Sequence, residues 1–290
     1  MELDEIRDAR AKSQAVLEAA LETLVKAKRG EKPIERASFF ASMNFRFLGL
    51  AAYLIDGDVN GFHNGLFRAA RCRLHYYVHL MMGLGYEGSI GAMTNDSEFF
   101  DALACQSERT ALLLSWYHVA TPRAEFDEPE RVRYSYYVRS LVHPVIVERK
   151  PYKDAGIEDW LREPGKSAEQ MAAQGIHGRD SELFTRGITG LLDQRRRLIE
   201  AGGAEKSQKW CHIEALGLLW QARRRGLEVK IDDGLIPWEL QSPRRARWDP
   251  NGLPQLGEAD IEVVDAFLSR KTRKSLEEVK KWRPDPREVE

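Results

Sequence analysis

By type and spacing, the residues best suited to chemistry are Cys72, His75 and His79. On a helix, positions i, i+3 and i+7 project from one side, and thiolate and imidazole are both zinc ligands. The neighbouring Arg68 and Arg71 disfavour a cation there, and no second ligand cluster supplies a fourth group. The three lie opposite the apolar stripe of their helix, so the plainer reading, and the weightier one, is a second packing face or a face turned to a partner. Metal and cofactor are therefore not expected. Other catalytic patterns are absent: no H-E-x-x-H, no G-x-S-x-G and no glycine-rich phosphate loop ending in Lys-Ser or Lys-Thr. Asp232 and Asp233 have no third carboxylate at metal-binding spacing and read as a turn before Gly234. The sequence thus predicts a protein that is not an enzyme.

Two pairs, Arg68 with His75 and Arg73 with His79, have the arginine-to-histidine spacing of the helical HEPN ribonucleases. In a chain with 44 basic side chains and 7 histidines, chance supplies such pairs. A helical nuclease or hydrolase using His75 and His79 is the least favoured reading.

Binding offers more candidates. Acidic groups gather at expected helix ends and loops: Asp56 and Asp58, then Glu125, Asp127, Glu128 and Glu130, then Asp232 and Asp233. A solvated loop explains such groups most simply; the functional alternative is that one of these loops reaches a basic site on a partner, where desolvated charge pairs contribute several kcal/mol. Trp160, Trp238, Trp248 and Trp282 sit in broken or tail segments rather than on helical stripes. Tryptophans in such places either cap the core or serve as binding hot spots, and Trp238 joins the acidic groups as a partner-binding candidate.

These residues are positioned by helices. Leu17, Ala20, Leu21 and Leu24 mark a helix over 2–29, stopped by Gly30. Pro33 suits the first position of a second, whose stripe is Phe40, Met43, Phe47, Leu50, Ala51 and Leu54 before Asp56-Gly57-Asp58. A third runs over 59–82 on Phe62, Leu66, Ala70, Leu74, Tyr77 and Met81. The cluster Thr94 to Glu98 opens a fourth, reaching about 118. A fifth, over 129–142, competes with a strand reading because Val132, Tyr134 and Tyr136 alternate. The stretch 150–178, broken by prolines and glycines, reads as a long polar connection with one or two short helices. Helices over 181–201 and 205–225 follow, then an apolar-acidic segment over 227–240. The pattern predicts an all-α fold, an antiparallel helical bundle or short α-solenoid of about eight to ten helices. It divides as a domain over 1–240 and a C-terminal extension over 241–290 with short helices near 258–269 and 275–282.

Composition narrows the function class. With 44 basic and 45 acidic side chains the formal net charge is −1, which argues against direct nucleic-acid binding and against an acidic mimic of DNA or RNA. Three scattered cysteines without a C-x-x-C pair suit a reducing compartment. The charged N-terminus has no secretory h-region, and no apolar run approaches the ~18 residues of a membrane span. The expectation is a cytoplasmic protein with no membrane partner.

Two stretches together resemble a known family. One is FFASMNFRFLGLAAYLI, residues 39–55, leading into Asp56-Gly57-Asp58; the other is IEALGLLWQARRRGLEVKIDDGLIPWEL, residues 213–240. The second resembles the closing signature of the immunity protein 49 family of bacterial polymorphic toxin systems: an apolar helix, a basic turn ending in Gly, a valine-acidic stretch, then Leu235-Ile236-Pro237. The resemblance covers roughly 35–240. It implies an all-helical protein that protects its cell in interbacterial competition by binding a cognate toxin domain, a nuclease effector, encoded by the adjacent gene. It carries no catalytic residue. A helical adaptor or scaffold in another pathway would share every compositional feature and is distinguished by having no toxin gene beside it.

Overall fold

The computed structural model describes residues 3–26, 33–81, 97–120, 129–148, 150–203 and 209–241. Among them are twelve α-helices and no strand, and the all-α expectation holds. The extension over 242–290, with Trp248 and Trp282, lies outside the described residues.

Three long helices open the chain: α1 (Leu3–Lys26), α2 (Pro33–Asp56) and α3 (Val59–Met81). The stripe Leu17, Ala20, Leu21 and Leu24 buries α1 on its neighbours as its spacing predicts. Arg10 on α1 reaches Asp56 at the far end of α2, so the two run antiparallel. Gly57, at φ 66°, closes the turn into α3, which packs back along α2. Where they cross, a Cβ on Gly49 would stand 2.8 Å from the Gly65 Cα; only glycine lets the backbones approach this closely.

The single stripe predicted for α2 needs correction. Phe47, Leu50 and Ala51 are buried as expected, but so are Ala37, Ala41 and Phe45, while Phe40 is exposed with the Arg36 guanidinium over its ring. A helix packed on both sides has no single apolar stripe. This helix, over Arg36–Asp56, is apolar and long enough to cross a membrane by length and composition, yet half of that window is buried inside the fold. In its middle Arg46 holds Asp101 in a buried bidentate pair, which marks a core helix.

The predicted fourth helix is two, α4 (Ser97–Ala104) and α5 (Glu108–Ala120). Gln106, at φ 61°, ends α4 in a left-handed turn. The Ser107 N–H donates to the Ala102 carbonyl and the Gln106 N–H to Leu103, the paired bonds of a Schellman stop. Glutamine at that position gives no warning in the sequence. Pro129 begins α6 (Pro129–Val142), which is helical, so the strand reading fails. Tyr134, Tyr136 and Tyr137 are all buried because the helix is enclosed on several sides.

The stretch over 150–178 is a packed part of the core rather than a loose connection. After a 3-10 turn (Pro144–Glu148) come α7 (Lys150–Asp154), α8 (Ile157–Arg162) and α9 (Ala168–Gly178). Buried glutamines hold it: Gln170 Nε2 donates to the Trp160 carbonyl at 2.7 Å, and Gln174 Nε2 to the Leu161 carbonyl at 3.1 Å. Trp160 is only 1 % exposed and serves the core. Asp180 caps α10 (Ser181–Glu200) by accepting from Glu182 and Leu183 N–H. After the turn at 209–212 comes α11 (Ile213–Arg224), shorter than its predicted span. An extended segment leads to the final turn, α12 (Trp238–Gln241). One hydrophobic cluster runs continuously from Leu17 to Leu240.

Candidate functional site

The helix face of Cys72, His75 and His79 is settled in part. Cys72 is buried in the core beside Ala69 and Ala70, and burial pushes its thiol up to about 12. The face opposite the α3 stripe is therefore buried too, and Arg73 at its edge is fully enclosed, pairing with Glu98 at 3.2 Å and lying over the Phe39 ring. The side chains of His75 and His79 lie outside the described residues. Among the described residues no three His, Cys, Asp or Glu side chains stand together as metal ligands.

The acidic candidates do not form one cluster, and three have work inside the fold. Asp56 pairs with Arg10 at 2.8 Å. Asp58 Oδ1 accepts from the Gly61 N–H at 2.8 Å, securing the first turn of α3. Asp233 pairs with Arg196 on α10 and accepts from the Leu235 N–H at 2.9 Å, fixing the turn that Asp232-Asp233-Gly234 makes. Asp232 beside it is exposed. Glu130 sits in the first turn of α6, while Glu125, Asp127 and Glu128 lie outside the described residues.

Trp238 is different: it is 49 % exposed, yet held. Lys230 Nζ stands 4.7 Å from its ring centroid, a cation–π contact that orders the indole at the surface. Next to it Glu239 accepts from the Tyr53 hydroxyl at 3.1 Å, tying α12 to the last turn of α2, the turn that carries Asp56. Burial, then the Glu239 bond and charge, push the Tyr53 hydroxyl up to about 12, so it stays a donor at neutral pH. Underneath, Gln241 Nε2 donates to the Ile231 carbonyl at 2.7 Å and closes the segment on itself. The surface bearing Trp238 and Lys230 is thus a preset patch rather than a slack loop.

A cleft of about 410 Å³ escaped the sequence reading. Its buried floor is Phe100, Tyr134, Leu191 and His212; Arg195 and Glu214 stand above them, and Arg131, Gln194 and Leu198 are at the exposed mouth. The Tyr134 hydroxyl donates to Glu214 at 2.7 Å, and the Tyr134 ring stacks on Phe100 at 6.3 Å. Burial first, and then the Arg195 charge, depress His212 to about 3, so it is neutral at physiological pH. Among the described residues, Glu130 is the one partner-binding candidate from the sequence that lines this cleft. The rest come from five helices far apart in the chain, a convergence that no local spacing reveals.

Compared with protein-family models, with curated proteins and with solved structures, the chain matches none.

Proposed function

We propose that this chain is a cytoplasmic immunity protein, a binding protein that neutralises a cognate toxin domain by covering its active surface. The observation that carries the reading is Trp238, an aromatic kept half in water and fixed by Lys230, on the very segment whose sequence resembles an immunity-family signature. Ordered aromatics at a surface contribute most of the binding energy at protein interfaces, because little side-chain entropy remains to be lost. The exposed Asp232 on the same segment supplies negative charge suited to a basic partner. A helical scaffold with one continuous core gives the rigidity that tight binding and slow release require.

The test is co-expression with the product of the adjacent gene in a sensitive bacterium, followed by co-purification. Rescue of growth together with a stable one-to-one complex supports immunity by direct binding. A neighbouring product that is not toxic, or rescue without a complex, overturns it and turns attention to an adaptor role.

A further inference from the structure

The cleft asks for an explanation separate from toxin binding. Three helices of eleven residues or more, α6, α9 and α11, begin at it: Glu130 and Arg131 belong to the first turn of α6, Ser167 caps α9, and His212 precedes α11. Each also carries a first-turn glutamate that lines the cleft, Glu130, Glu169 and Glu214. A carboxylate in a helix's first turn complements the dipole, which explains each glutamate singly. It does not explain why all three open on one space together with two guanidinium groups, Arg131 and Arg195.

His212 adds an independent observation. It is 3 % exposed and caps α11 without a side-chain cap bond. Its Nδ1 has no hydrogen-bond partner among the described residues. A buried polar atom left without a partner costs stability, and such atoms in a cleft mark places where a ligand completes the bonding. The volume lies within the ~300–1,000 Å³ of small-molecule sites.

We propose that this cleft binds a small zwitterion carrying an ammonium and a carboxylate close together, as a free amino acid does. The carboxylate is met by the guanidinium groups of Arg131 and Arg195 and by the positive ends of the helices. The ammonium is met by Glu130 and Glu169, and the stacked Phe100 and Tyr134 with Leu191 and Leu198 take the apolar remainder. A molecule with one charge satisfies one set of groups and leaves the other without a counter-charge. A divalent cation is a poor fit, since no three acidic groups stand at ligating distance among the described residues.

The experiment uses the full chain, with the free L-amino acids as probes and acetate and ethylammonium as single-charge controls, read by thermal shift and titration calorimetry. At least one amino acid is expected to raise the melting temperature saturably while both controls do not. Arg131→Gln and Glu130→Gln, both near the mouth, are each expected to weaken that binding about tenfold, with Arg131→Gln leaving the unliganded melting temperature unchanged and Glu130→Gln lowering it only slightly through the lost helix-dipole contact. The proposal is overturned if no amino acid binds saturably, if a control binds as well, or if binding survives both substitutions. None of these outcomes depends on the toxin, so this site and the immunity reading stand or fall separately.

Discussion

Arg46 and Asp101 meet across α2 and α4 at 2.6–3.0 Å, almost wholly out of water. A buried pair of this kind adds little over an apolar pair of the same shape, but breaking it strands a charge. Arg46→Ala is therefore expected to cost about 3–5 kcal/mol in urea unfolding, and Arg46→Met combined with Asp101→Leu markedly less. If the double variant were the weaker, the pair would be contributing more than its own satisfaction. Buried titratable groups also set the pH dependence. Burial depresses His63 from 6.5 to about 4 against the pull of its bond to the Cys105 carbonyl, and His212 falls from 6.5 to about 3. The unfolded chain takes up both protons first, so this stabilisation is complete above pH 6.5 and is lost as pH falls toward those lower values. Asp101 works the other way. Burial lifts it from 3.8 to about 6 despite Arg46, so the folded state gains as pH falls through that interval. Two imidazoles outweigh one carboxyl, and the melting temperature is expected to drop between pH 6.5 and 4. His63→Gln should flatten the slope, and a melting temperature that rises on acidification would contradict the assignment.

The α9–α10 hairpin closes on glycine. A Cβ on Gly187 would run into the Ala172 backbone, and one on Gly175 into that of Phe184. Gly187→Ala is expected to destabilise by roughly 1–3 kcal/mol, since backbone cannot yield as a flexible side chain would. Gly178→Ala, with nothing within 4 Å of the added methyl, should be neutral or gain up to about 1 kcal/mol from helix propensity. Comparing their chemical denaturation separates close packing from propensity; equal effects would sink the contact argument. The same elements show what the sequence made legible. Long helices with one apolar side, such as α1 and α10, were readable because 3.6-residue periodicity is local. The break at Gln106 was not, because a left-handed residue there is imposed by the packing of α4 and α5 rather than by its own preference. The stretch over 150–178 misled for the opposite reason: its prolines and glycines punctuate short helices, and Gln170 and Gln174 satisfy the carbonyls that a loop would leave to water. Of the site, the charges in turns were visible in the sequence, but the bonds that Asp58 and Asp233 make within the fold were not. His212 and Arg195 gain meaning only from neighbours distant in the chain.

At the scale of the whole molecule, the core from Leu17 to Leu240 makes one body that presents the Trp238 patch on a fixed frame. Trp238→Ala removes a half-exposed ring, so stability should change by less than about 0.5 kcal/mol, while affinity for the toxin domain should fall by 2 kcal/mol or more, ~30-fold. Surface plasmon resonance on the purified pair would show this as faster dissociation, and an unchanged rate would remove Trp238 from the interface. The three thiols bear on how that meeting is watched. Cys72, Cys105 and Cys211 are all in the interior, and burial pushes each above the usual thiol range. Thiolate is the reactive form, so none of them competes for a maleimide while the fold holds. The natural chain is in effect already silent toward thiol reagents: Asp232→Cys places a single dye at an exposed position of the segment that carries the indole, with no native cysteine to remove first, and the arrival of a partner could be followed as a change in light.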